Sequence, residues 1–249
     1  MLNFSNNKNI IISSWPSAGG TTAARFISLV LNMKYVYAGG VLKHWADSMG
    51  YDSKTQRIME WERKYHKHWD YVWENFIAKY ALNSKNTLLE GMTAGFMIQS
   101  DKVYKIFIKA SLKARMKRAA NDKRTETVQE RDYFLRDEWN ARFGINIFDE
   151  QQISDNYDYI LDTSYIGIKE VWTKILKNLA KNRARKFSLK KKLNEADEIY
   201  DKVQSNPDYL KNELGERDLF FRSEKVLEII KEQYPELIRD IPEDMRSVM

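Results

Sequence analysis

Three consecutive isoleucines, Ile10-Ile11-Ile12, lie between Asn9 and Ser13 and run into a small, glycine-rich stretch, Ser14-Trp15-Pro16-Ser17-Ala18-Gly19-Gly20-Thr21-Thr22. A short, continuous β-branched run is the pattern of a strand buried on both faces of a parallel sheet. A helical pattern follows from Thr21 to about Asn32, with Ala24, Phe26, Ile27, Val30 and Leu31 on its apolar face. Runs of the same kind recur at Lys34–Tyr37, Thr87–Glu90, Val103–Ile108 and Tyr157–Leu161. Helical segments separate them: Ala38 to Met49, about Ser53 to Leu82, then 111–121 and 125–143, with another at 168–181 after the last run. Short apolar strands alternating with helices predict an α/β fold, a parallel sheet covered by helices on both faces.

Composition narrows the function classes. The chain has 249 residues, 43% of them hydrophobic and 13% aromatic, enough to build a core. No apolar run approaches the about 18 residues of a membrane span, so no membrane partner is expected. Met1 to Lys8 is polar and lacks the layout of a secretion signal. Cysteine is absent, which excludes disulfides, thiolate metal sites and thiol catalysis, and fits a reducing, cytoplasmic location. The net charge of +6 suits a polyanionic ligand such as a nucleotide, and equally a nucleic acid or an anionic surface.

The glycine-rich turn carries the first chemical hypothesis. Where a strand ends in a sharp turn that opens a helix, backbone N–H groups and the helix N-terminus together favour a phosphate. Gly19 and Gly20 permit the dihedrals and the close approach, and Thr21 offers a hydroxyl to a nucleotide-bound Mg²⁺. Against the pattern G-x-x-x-x-G-K-[ST], Ser14 stands for the first glycine and Gly20 for the lysine. A glycine-rich turn without a ligand is the alternative reading of this segment alone.

Further segments carry a resemblance. Besides Ser14 to Phe26, these are Lys34 to Gly39, Leu89-Glu90-Gly91-Met92-Thr93-Ala94-Gly95-Phe96, Phe107 to Arg118, Gln129-Glu130-Arg131-Asp132, Arg142-Phe143-Gly144-Ile145 and Tyr157 to Ser164. In order and spacing, from about residue 9 to 180, they resemble the cytidylate kinase family, in particular its archaeal-type members. The resemblance, which leaves a helical C-terminal extension outside, implies a three-layer P-loop fold with a parallel sheet, helical lid and acceptor-binding inserts. It also implies transfer of the γ-phosphoryl of ATP to CMP or dCMP with Mg²⁺. Carried over, Ser17, Ala18, Gly19, Gly20, Thr21 and Thr22 would hold the ATP phosphates, and Thr163 would pass near the adenine. Thr21 and Glu90 would serve the metal. Lys43, Asp70 and Gly91 fall on the acceptor side, and Arg115, Arg118, Arg131 and Arg136 are the lid's candidate catalytic cations.

The departures are specific. Gly20 replaces the loop lysine, Gly40 an acidic residue, and Met92 the arginine that the family places on the acceptor phosphate. The expected activity is therefore a nucleoside monophosphate kinase, and the alternative a nucleotide-binding protein without transfer activity that acts through its extension.

Other features have plainer readings. Arg115 and Arg118, about a turn apart, suit phosphate clamping or a solvated basic face. Trp61, Tyr65, Trp69, Val72, Trp73 and Phe76 recur at helical spacing as a packing stripe, with base stacking as the other reading. His66 and His68, two apart, would point to different helix faces, which argues against a metal pair. The expected boundary divides residues 1–182, the kinase-like domain, from the extension at 183–249, whose helical segments are punctuated by Pro207, Gly215, Pro235 and Pro242. The basic run at 181–192 reads as a solvated face or, less simply, as a nucleic-acid contact. No oligomeric state is assigned.

Overall fold

The computed structural model describes residues 7–37, 50, 72–121, 128–215, 223–237 and 239. Five strands form one sheet: β1 (Asn9–Ser14), β2 (Lys34–Tyr37), β3 (Thr87–Glu90), β4 (Val103–Lys109) and β5 (Tyr159–Asp162). Their order is β2-β3-β1-β4-β5, and every pairing is parallel. The isoleucine run is thus the central strand, paired on both edges, with Ile12 opposite Glu90 on one side and Ile106 on the other.

Helix α1 (Gly20–Val30) follows β1, a helical segment α2 is described over 72–83, and the short α3 spans Ala94–Met97. Then come α4 (Leu112–Asn121), α5 (Val128–Phe143), α6 (Glu150–Asn156), α7 (Ile168–Lys181), α8 (Leu189–Ser205), α9 (Tyr209–Leu214) and α10 (Ser223–Gln233).

Strand alternation sorts the core onto two faces. Ile10, Ile12, Ile106 and Ile108 pack with Phe26 and Ile27 of α1 and Trp172, Ile175 and Leu176 of α7. The Phe26 and Trp172 rings stack at 3.9 Å between centroids. Phe107 turns to the opposite face, among Phe96, Leu135, Trp139, Ile147, Ile153 and Tyr157.

Two short helices, α3 and α6, had no sequence signal of the usual kind, because four and seven residues are too few for a period to show. Asp149, whose carboxylate accepts from the Gln152 N–H at 3.0 Å, is the cap that marks α6. The last strand starts at Tyr159, two residues later than the apolar pattern suggests. Tyr157 instead closes α6 through its N–H to the Ile153 carbonyl, and its ring packs at 5.0 Å from Phe107.

The segment after 182 packs on the sheet unit. Ala184, Ala196, Leu210 and Leu214 are buried in the same cluster as α1 and α7. Arg185 donates to the Lys8 carbonyl and to Asn86 Oδ1, and the Lys8 N–H donates to the Ala184 carbonyl at 3.0 Å, which stitches the junction to the N-terminal end of the sheet.

Candidate active site

The turn between β1 and α1 leaves the central strand at Ser14. The Trp15 N–H donates to the Ile108 carbonyl at 3.1 Å and the Ala18 N–H to the Trp15 carbonyl at 3.0 Å. Ser17 (φ 60°) and Gly19 (φ 98°) both adopt left-handed backbone, which folds the chain back toward the helix. The Trp15 indole donates to the Ile147 carbonyl at 2.7 Å and lies 5.4 Å from the Phe148 ring, so the turn is pinned from the α6 side. Gly19 caps α1 without a side chain, and no acid stands in the first turn. The first N–H groups of a helix have no intrahelical partner. Here they and the helix dipole meet no competing carboxylate in that turn, as an anion site requires.

Thr21 and Glu90 meet at the mouth of this turn. The Thr21 hydroxyl donates to Glu90 Oε1 at 2.6 Å, and the Tyr35 hydroxyl donates to Glu90 Oε2. A threonine hydroxyl that gives its proton to a carboxylate keeps both lone pairs for a cation. Thr21 and Glu90 thus fit a phosphate-borne Mg²⁺, which is usually held by one or two protein oxygens with waters and substrate phosphates completing its shell. Burial pushes the Tyr35 phenol well above its ordinary range, and the neighbouring Glu90 carboxylate pushes the same way, so the O–H remains a donor.

A cavity of about 340 Å³ adjoins the turn. Ala18, Gly19 and Thr163 line it together with the apolar Ile168 and Trp172 and with Arg118. That volume and lining fit a planar, partly apolar ligand. Arg118 donates to the Ala18 carbonyl at 3.2 Å, to Thr163 Oγ1 at 3.0 Å and to the Thr163 carbonyl at 2.6 Å. Thr163 Oγ1 lies 2.9 Å from the Ala18 carbonyl, so the arginine and the threonine together fix the back of the turn.

Relatives match over about two thirds to three quarters of the chain. A cytidylate kinase of Pyrobaculum islandicum is 29% identical over 167 residues, which covers 65% of this chain and 86% of the relative. One from Saccharolobus islandicus is 26% identical over 190 residues, covering 74% and 96%, respectively. The resemblance is to the cytidylate kinases. No protein-family model matches the chain. Among solved structures, a shikimate kinase of Acinetobacter baumannii superposes with a TM-score of 0.48 at 16% identity, covering 70% of this chain and 94% of that one. Among the described residues no helix is long and apolar enough to cross a membrane.

Against the cytidylate kinase pattern, the two missing cations have local physical reasons. A Cβ on Gly20 would lie 2.2 Å from Ser14 Oγ and 2.7 Å from Ser14 Cβ. The serine that replaces the first glycine therefore occupies the space a lysine at 20 needs at its root, so the two departures form one change. Met92 packs with the aromatic cluster of Phe107 and Trp139, so a cation at 92 would need to leave that cluster to reach a ligand.

The remaining candidates lie as follows. Arg115 is buried, bidentate on Asp132 at 2.8 and 2.6 Å, and donates to the Ala110 and Pro16 carbonyls. It ties α4, α5 and the turn together and lies 5.4 Å from the Trp15 ring. Arg131 and Arg136 are on α5, the latter exposed and 5.4 Å from the Phe148 ring. Thr22 lines the cavity, and Gly91 lies beneath the loop after β3 with its N–H on the Ile12 carbonyl. Lys43 and Asp70, Gly40, and Trp61, Tyr65, Trp69, His66 and His68 lie outside the described residues. Sequence reasoning missed Tyr35, Ser14 as an obstacle, and Asp132 as the partner of Arg115. Tyr35 had the look of an ordinary strand residue, and only the fold brings it to Glu90.

Proposed function

We propose that this chain is an ATP-dependent nucleoside monophosphate kinase whose acceptor is CMP or dCMP. The observation that carries the reading is the juxtaposition of a left-handed turn at Ser17–Gly19, the open first turn of α1 and the Thr21–Glu90 pair at 2.6 Å. The backbone of 17–22 would hold the ATP phosphates, the Thr21 hydroxyl and Glu90 would hold and orient Mg²⁺, and the cavity lined by Thr163 and Trp172 would take the base. Mg²⁺, when bound, would neutralise charge on the transferring phosphoryl group. Arg118, already anchored at the turn, holds the base-side loop in register. Lys43, Asp70 and Gly91 serve the acceptor, and Arg131 and Arg136 belong to the lid. The similarity to cytidylate kinases supports the acceptor assignment. The division into 1–182 and 183–249 is kept as a functional one, with the chemistry in the first part.

A second reading has its own observation. Ser14 blocks a lysine at 20 and Met92 is packed among aromatics, so cations that the pattern expects on either side of the transferred group are both missing from their places. Loss of a single well-placed donor to developing charge costs about 10²–10³ in rate. A nucleotide-binding protein without transfer activity would follow from two such losses.

ADP release measured with MgATP and, in turn, CMP, dCMP, UMP and AMP separates the readings. The kinase reading expects release stimulated most by CMP or dCMP. ATP binding with no stimulation by any monophosphate establishes the second reading. Thr21→Ala is expected to weaken ATP binding in Mg²⁺ far more than in a chelator. Equal losses measured by calorimetry would remove Thr21 from the metal site.

A further inference from the structure

We infer that Tyr35 is a positioning residue for the metal site, acting through Glu90. The inference rests on the nucleotide-binding reading above and adds to it a residue from a neighbouring strand.

The geometry assigns the two carboxylate oxygens of Glu90 to two different elements. Oε1 takes the Thr21 hydroxyl from α1, and Oε2 takes the Tyr35 hydroxyl from β2. Tyr35 has no exposed surface and Glu90 is 8% exposed, so their hydrogen bond is shielded from water. Strand register sets the approach: Tyr35 faces Leu88 and Tyr37 faces Glu90 across β2 and β3, which places the Tyr35 ring two residues back along β2 from the carboxylate it reaches. The ring is anchored in the main core cluster and lies parallel to Tyr37 with 6.2 Å between centroids. A carboxylate held at only one oxygen can turn about its last torsion, whereas one held at both keeps its plane. Tyr35 thus fixes the plane in which Glu90 receives the Thr21 proton, and so the direction of the Thr21 lone pairs toward a cation. Groups that orient metal ligands from behind commonly change metal affinity by about 10–100-fold when removed.

The test compares ATP binding to the full chain across a Mg²⁺ titration and in a chelator. Tyr35→Phe keeps the buried ring and removes only the donor. The Mg²⁺ concentration that half-maximally tightens ATP binding should rise about tenfold, while affinity in the chelator stays within about twofold. In a Glu90→Gln background the same substitution should add no further shift, since Tyr35 acts through that carboxylate. Equal weakening with and without Mg²⁺ overturns the assignment by showing a packing role. No shift at all, or a full shift in the Glu90→Gln background, overturns it as well. Failure of the underlying reading looks different: the wild-type chain then binds no ATP in either condition, and the role assigned to Tyr35 falls with it.

Discussion

At position 20 a single missing side chain carries the largest departure from the phosphate-loop pattern, and its cause sits six residues away. Gly20→Lys or Gly20→Ala places a Cβ against Ser14 Oγ and Cβ, at 2.2 and 2.7 Å, and overpacking of this kind costs about 1–3 kcal/mol. Ser14→Gly removes the obstacle. The two changes are therefore expected to be strongly non-additive: Gly20→Ala alone destabilises, and Ser14→Gly with Gly20→Ala recovers most of the loss, as read by urea denaturation. Additive effects would show that the turn relaxes without reference to Ser14. The sequence displayed both departures from the template but not their contact, because template positions carry no distances. Thr21 was legible as a candidate for a metal from its place after the glycines, and Glu90 only through the resemblance to the cytidylate kinases; what the structure adds is their hydrogen bond at 2.6 Å. Tyr35 was not, since an alternating strand announces which face a residue takes and nothing about the group it meets there.

Among the elements, the loop from β3 into α3 rests on a carboxyl from α2. Glu74 is 4% exposed, and burial pushes its carboxyl up to about 7, against the opposing pull of donors from Thr93 and Ala94. The folded chain thus holds this proton more tightly than the unfolded chain does. The stability Glu74 contributes is complete below the ordinary carboxylate range and is lost as pH rises through about 7. Between about pH 5 and about pH 8 this group alone should lower stability by roughly 2–3 kcal/mol. Glu74→Gln should flatten that slope and leave the protein more stable than wild type at the higher pH, by denaturation at both values. An unchanged slope would place the titration elsewhere. The strands were legible because continuous apolar runs are buried on both faces, and α7 because it buries one periodic face: β2 and β3 match the apolar runs residue for residue, as α7 matches its helical pattern. The short α3 and α6 were not, because so few residues show no period; α6 is marked only by its Asp149 cap, and α3 has no side-chain cap and is held by tertiary contacts.

For the molecule as a whole, the segment after 182 bears on the phosphate-binding helix itself. Leu210 and Leu214 of α9 lie in one cluster with Phe26 and Ile27 of α1, and Ala196 of α8 lies there with Trp172 of α7. A chain ending after Lys181 would expose this face, and apolar surface is worth about 25 cal/mol per Å². Such a truncation is expected to lower the thermal midpoint and weaken ATP binding together. A truncated chain with unchanged midpoint and affinity would show that the extension adds nothing to the helix it covers. The sequence separated this region by its charge pattern, and that pattern reports the solvated side of α8 and α9 rather than the few residues that turn inward.

The position of β1 at the centre of the sheet gives the site a place in time as well as in space. Strand pairs at an edge open and close often, whereas a strand paired on both sides exchanges its amide protons only when much of the fold has come apart. The turn at 14–19 leaves directly from that strand and is tied across to β4 by the Trp15 N–H on the Ile108 carbonyl, so its start shares the protection of the central ladder.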